Sequence, residues 1–245
     1  MSLKIIIPMA GEGSRFKTAG FKKPKPFIDV NGIPMIERVI KNLSFKNVEF
    51  ILICKKEHIL DFDTIFNNLK SNYNISQIIG IEKKTEGTAC TNMFAAPFLE
   101  DNDEVIIANS DQYLNFQIEN YYLDAQKREL HGSILTFLDP LKNPKWSFAQ
   151  LDSNERVVQV KEKEAISNIA TVGIYYFSCA RDLIYSTLKM IINNDRVNNE
   201  FYTCPVYNYL IEDNKHIGVY NIDQKDMYGL GTPEDLNLFL TSQHA

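Results

Sequence analysis

The sequence predicts one α/β domain with a mostly parallel, mixed sheet flanked by helices, and three observations carry that prediction. Short β-branched, apolar runs alternate with amphipathic stretches through the first half of the chain, as parallel strands and helical crossovers do. The length of 245 residues and a 44% apolar composition suit a single substantial core. A glycine-bearing loop directly follows the first strand, where open α/β sheets bind ligands.

Residues 3–8, 48–54, 75–81 and 104–109 are apolar at nearly every position and read as central strands, buried on both faces. Residues 34–43, 58–70 and 88–98 read as the helices between them. After Asp111 the pattern changes: a helix near 117–130, a strand at 132–138, then strands at 148–151 and 157–161 around Asp152-Ser153-Asn154-Glu155, a turn by composition. Residues 171–177 give another strand, 181–193 and 204–211 two helices, and 216–222 the last strand. Thr232-Pro233-Glu234 opens a closing helix, because threonine suits the cap and proline the first turn. No repeat, low-complexity tract or linker divides the chain, so 1–245 reads as one domain.

A net charge of -5 argues against a broad basic surface for nucleic acid, so any phosphate site is local. Cys54, Cys90, Cys179 and Cys204 are scattered without CxxC spacing and read as buried thiols rather than disulfide partners or zinc ligands. His58, His131, His216 and His244 show no metal-ligand spacing. The N-terminus opens as a strand rather than a secretory leader, and no apolar run approaches the roughly 20 residues that cross a bilayer. No membrane association is expected, and the cytoplasm is the expected address.

The most informative segment is Pro8-Met9-Ala10-Gly11-Glu12-Gly13-Ser14-Arg15-Phe16. Its glycines let backbone N–H groups turn toward an anion. A dinucleotide fingerprint would need a third glycine where Phe16 stands, and a P-loop would need Gly-Lys-Ser/Thr at its end. The loop instead supplies Arg15, and Lys22-Lys23-Pro24-Lys25-Pro26 adds Lys25 on a proline-stiffened backbone. A guanidinium and an ammonium over one loop suit a triphosphate whose α-phosphorus is under attack.

These residues resemble the sugar-phosphate nucleotidyltransferases, or nucleotide-sugar pyrophosphorylases. The resemblance runs through Ala10-Gly11-Glu12-Gly13-Ser14-Arg15, Pro24-Lys25-Pro26-Phe27, Glu86-Gly87-Thr88-Ala89, Asn109-Ser110-Asp111, Glu162-Lys163, Gly173-Ile174-Tyr175 and Gly229-Leu230-Gly231-Thr232, nearly the whole chain. It implies a Rossmann-like sheet of the nucleotide-diphospho-sugar transferase type, with residues 1–111 mainly binding nucleotide, 112–225 mainly binding acceptor, and 226–245 closing over them. It also implies that Ala10 and Gly11, with Gly13, Glu82 and Gly87, hold the nucleotide, that Arg15 and Lys25 neutralise phosphates, and that Asp111 binds Mg²⁺. Lys163 would meet the acceptor phosphate, and Glu162, Gly173 and Glu200 would line the acceptor pocket.

Each assignment has a plainer competitor. Asp111 suits a turn or N-cap, Lys163 a solvated hairpin edge, Glu200 the N-terminal charge of the next helix, and Trp146 the core. Family members often carry glutamine where Glu82 stands; a carboxylate only accepts, which leans toward the donor-rich bases of GTP or CTP. Where many members have a second metal-binding aspartate, this chain has Gly229, and Asp226 is the candidate replacement, with water or substrate oxygens as the alternative. The expected reaction joins a nucleoside triphosphate to a sugar 1-phosphate and releases pyrophosphate. A cytidylyltransferase for a non-sugar phosphorylated acceptor and a non-catalytic nucleotide-binding module are the rivals, and homo-oligomerisation stays open.

Overall fold

The computed structural model describes residues 3–242, so His244 lies outside the described residues. β1 (Leu3–Pro8) leads through α1 (Ser14–Thr18) to a small hairpin, β2 (Asp29–Val30) and β3 (Ile33–Pro34), and then to α2 (Met35–Leu43). β4 (Val48–Lys55), α3 (Lys56–Asp61), α4 (Asp63–Asn72), β5 (Ile75–Ile81), α5 (Thr88–Asn92) and β6 (Glu104–Ala108) follow. These four long strands lie parallel in the order β5-β4-β1-β6. Ile5 and Ile7 enter the core on one face of β1 and Ile6 the core on the other, which is why its apolar run is unbroken.

Three expectations need correction here. β5 is the outer strand of this layer, with Ile75, Ile78 and Ile79 only half-buried, so its apolar run does not mark a central position. The helix expected at 58–70 is broken: Phe62 leaves helical geometry (φ -126°, ψ 32°) and stacks its ring on Phe27 at 4.1 Å. Residues 88–98 also divide, because Pro97 has no N–H to give, and the segment Met93–Phe98 winds as a 3₁₀ helix.

The second half adds β7 (Gln112–Leu114), α6 (Ile118–Lys127), β8 (Gly132–Leu138), β9 (Ser147–Leu151), β10 (Val157–Glu162) and β11 (Ile169–Phe177). α7 (Ala180–Ile192), α8 (Val206–Glu212), β12 (Ile217–Ile222), β13 (Met227–Gly229) and α9 (Pro233–Leu240) complete the chain. β11 runs antiparallel to β6 and β8, and β12 runs parallel to β8, so the sheet is mixed. The β9–β10 turn forms as composition suggested: the Asp152 carboxylate accepts from the backbone of Asn154 and Arg156.

The closing segment is built around a third small core of Phe16, Ile28, Val30, Met35, Leu230, Leu236 and Phe239. It ties α1 and the β2–β3 hairpin to α9. Thr232 caps α9 by accepting from the Asp235 N–H at 3.0 Å, and Pro233 takes the first turn. Antiparallel pairing of β13 with β7 holds Gly229 opposite Gln112, one residue past Asp111. All four cysteines are free; Cys54 and Cys204 are buried, as expected, while Cys90 and Cys179 are only partly shielded. Burial pushes the Cys54 thiol up to about 12, which keeps it protonated and inert.

Candidate active site

A cleft of about 760 Å³ opens beyond the C-terminal ends of β1 and β6, where the sheet switches from parallel to antiparallel pairing. Ala10, Gly11 and Gly13 line one wall, and buried Phe16 anchors α1 so that Arg15 lines the same wall. Arg15 is exposed, and its side chain has no ion-pair or hydrogen-bond partner among the described residues. Lys25 sits in a one-turn 3₁₀ helix, Lys25–Phe27, between Pro24 and Pro26, and its Nζ donates to Asp111 Oδ2 at 2.7 Å. Arg15, Lys25 and Asp111, far apart in sequence, therefore share one cleft. The Asp111 side chain faces Lys25, and its backbone carbonyl accepts from Leu230 N–H at 2.7 Å.

Asp226 does not reach this point. The antiparallel β7–β13 register places the turn Gln224–Asp226 beside Asn115, whose side chain donates to Asp226 Oδ1 at 3.2 Å, and Asp226 is not part of the cleft wall. Asp235, which the sequence reading does not single out, lines the cleft instead. A Cβ on Gly229 would lie 3.5 Å from Asp235 Oδ2, and one on Gly231 would lie 2.7 Å from Asp111 Oδ2. The two carboxylates thus flank one short segment, Gly229-Leu230-Gly231. The Asp235 side chain has no partner among the described residues, and it lines the cleft. A first-turn carboxylate after a Thr-Pro cap was visible in the sequence; its approach to Gly229 was not.

The far wall gathers the acceptor-side residues. Glu162 is buried and accepts from the Ser147 hydroxyl, and burial raises its carboxyl above the ordinary range. Lys163, with a left-handed backbone (φ 56°), donates from Nζ to Tyr202 Oη, which in turn donates to Glu200 at 2.9 Å. Lys84 Nζ reaches the other Glu200 oxygen at 3.4 Å. Lys163 is therefore no solvated hairpin edge, and Glu200 is not a helix-end charge, since α8 begins only at Val206. Trp146 packs edge-on against Phe137 at 5.3 Å and also lines the cleft, so it is more than the core residue expected. Gly173 sits at the register shift in β11 with φ 93°; a Cβ there would lie 2.1 Å from Asn109 Nδ2. Gly87 similarly lets the 86–89 segment press on the Phe201 backbone, 2.3 Å from where its Cβ would stand.

Glu82 is the other correction. Its side chain is 70% exposed, pairs with Lys56 at 2.7 Å and lines a neighbouring hollow instead of the main cleft. That pair also holds the Glu82 carboxyl below its ordinary value. The inference about the base loses its footing with that placement.

Fold and site define an α/β domain with a cleft, lined by Arg15, Lys25 and Lys163, beyond the ends of its parallel strands. The family model described as nucleotidyl transferase matches residues 4–236, and the chain belongs to that family. It is 26% identical over 224 residues to a bifunctional protein GlmU of Methanococcus maripaludis, an alignment covering 87% of this chain and 48% of that one. The chain spans about half the length of the curated relatives it matches. Among solved structures, a nucleoside-diphosphate-sugar pyrophosphorylase from Vibrio cholerae RC9 superposes with a TM-score of 0.84 at 24% identity, over 97% of this chain and 100% of that one. An inositol-1-phosphate CTP transferase from T. maritima superposes with a TM-score of 0.72 at 15% identity, covering 99% and 97%. No helix among the described residues is long and apolar enough to cross a membrane.

Proposed function

We propose that the protein transfers a nucleotidyl group from a nucleoside triphosphate to a sugar 1-phosphate. The observation that carries this reading is the convergence of Arg15, Lys25 and Asp111 on one wall of the cleft with Glu162, Lys163 and Glu200 on the other. An acceptor phosphate oxygen attacks the α-phosphorus; the new P–O bond forms as the bond to the β-phosphate oxygen breaks, and pyrophosphate leaves. The attacking oxygen is already an anion, so no general base is needed, and positioning with charge neutralisation supplies the catalysis. Arg15 and Lys25 hold the triphosphate, and Lys163 orients the acceptor phosphate. To reach the triphosphate Lys25 exchanges its partner, since it is engaged with Asp111 before ligands arrive.

Magnesium fits the donor set. Mg²⁺ prefers hard oxygens, few of them from protein, and completes its octahedron with water and phosphate. Asp111 and Asp235 are two such donors beside one segment, and no group of three or more His, Cys, Asp or Glu capable of holding a metal occurs among the described residues. When bound, the ion would neutralise charge on the phosphates.

The test is pyrophosphate release from four nucleoside triphosphates against a panel of sugar 1-phosphates and phosphorylated amino alcohols. Release dependent on a sugar 1-phosphate is expected. Release only with an amino-alcohol phosphate would move the acceptor out of the sugar class, and nucleotide binding with no release would make the chain a binding module.

A further inference from the structure

We infer that Gln112, with Asn109 beside it, reads a hydroxyl group of the acceptor, an inference that rests on the nucleotidyl-transfer reading above. Gln112 stands in β7 directly after Asp111, is 9% exposed, and lines the cleft. Its Nε2 is spent on Met227 Sδ at 3.8 Å, and its Oε1 is buried without any hydrogen-bond partner. A buried carbonyl oxygen left unpaired is costly, and of the four unpaired buried side-chain atoms among the described residues this is the one on a residue that lines the cleft.

The surroundings indicate what pairs with it. A Cβ on Gly173 would lie 3.0 Å from Gln112 Oε1 and 2.1 Å from Asn109 Nδ2, so the absence of a side chain at Gly173 is what admits both carboxamides to one point of the cleft. Asn109 has no side-chain hydrogen bond among the described residues, while its backbone N–H is fixed on Gly173 O at 3.1 Å. An acceptor oxygen and a donor N–H side by side match an alcohol, which donates to the first and accepts from the second. A quaternary ammonium offers neither, and a carboxylate or phosphate would face Oε1 with no proton to share. Gln112 is thus a specificity residue for a polyhydroxylated acceptor, set beside Gly173 on the Asn109-Ser110-Asp111-Gln112 turn.

Steady-state kinetics with the best sugar 1-phosphate and its monodeoxy analogues tests this on the native protein, on Gln112→Met, which keeps length and removes the oxygen, and on Gln112→Glu, which keeps an acceptor. One deoxy analogue is expected to raise the acceptor KM of the native protein on the order of 10- to 100-fold, the usual loss when a site built for a hydroxyl is left unpaired. Gln112→Met should show that raised KM with the parent sugar, lose the discrimination, and leave the triphosphate KM unchanged; Gln112→Glu should keep the discrimination. Equal KM for every deoxy analogue with the native protein overturns the inference without needing any variant. So does full discrimination in Gln112→Met, or turnover confined to an amino-alcohol phosphate, and in these cases nucleotidyl transfer itself still stands. Absence of pyrophosphate release with every acceptor overturns both.

Discussion

Lys25 and Asp111 hold each other at 2.7 Å in the half-buried floor of the cleft, and the proposed reaction needs both charges elsewhere once substrate arrives. This makes the pair a holding arrangement whose two members separate on binding. Arg15→Ala and Lys25→Ala should each lower kcat by about 10²- to 10³-fold, the scale for removing one preorganised charge donor; a kcat within about threefold of native in rapid-quench assays removes that residue from the catalytic set. For the acidic pair, Mn²⁺ binding followed by electron paramagnetic resonance is independent of turnover. Asp111→Asn and Asp235→Asn should both weaken it in the presence of triphosphate, whereas Asp226→Asn should not. Glu162 makes a separate prediction about pH. Burial raises its carboxyl above 4.5, so the neutral form is the stable one, and the fold loses stability as pH rises from about 4.5 through the raised value. The melting temperature of Glu162→Gln minus that of the native protein should therefore grow as pH rises from about 4.5 and level off once the carboxyl is ionised; a difference that stays constant throughout would show that burial does not raise this carboxyl.

At the scale of elements, periodicity located the long strands and helices because each buries a face that the sequence must supply. β1, β4 and β6 fall where apolar runs stand, and Thr232-Pro233 announces α9. Periodicity could not see β7 and β13, whose three residues each are shorter than any repeat it detects, nor that β5 ends its layer. The site follows the same division. Arg15, Lys25 and Asp111 were legible because glycine, proline and the end of an apolar strand mark their places. Asp235 was not, and Asp226 was put forward instead, because the β7–β13 register decides which carboxylate faces the cleft. Glu82 departs from expectation for a related reason: Lys56 on α3 draws its side chain away from the cleft, a contact that no sequence pattern announces. Gly173→Ala tests how far the site depends on one element. With φ 93° and Asn109 Nδ2 in the way, the substitution should cost about 1–3 kcal/mol and displace the Asn109-Gln112 turn, so chemical denaturation and acceptor KM should change together. A variant as stable as the native chain with unchanged acceptor KM would show the turn to be independent of β11.

At the scale of the molecule, two cores cover the two faces of one sheet, and the third clamps the closing segment against the glycine loop. The cleft lies where these meet: Gly11, Arg15, Lys25 and Asp111 come to it from the first half of the chain and Glu162, Lys163 and Glu200 from the second, with α9 adding Asp235. The proposed reaction requires two phosphorylated ligands to share this single cleft, and cationic side chains line both walls, Arg15 and Lys25 on one and Lys163 on the other. The most direct measurement of this claim is acceptor-dependent pyrophosphate release, run with a triphosphate labelled at the α-phosphorus. The account predicts that pyrophosphate appears only when a sugar 1-phosphate is present and that the label passes to a nucleotide-sugar in equal amount. Pyrophosphate formed at the same rate without acceptor, with the label recovered as nucleoside monophosphate, would contradict it.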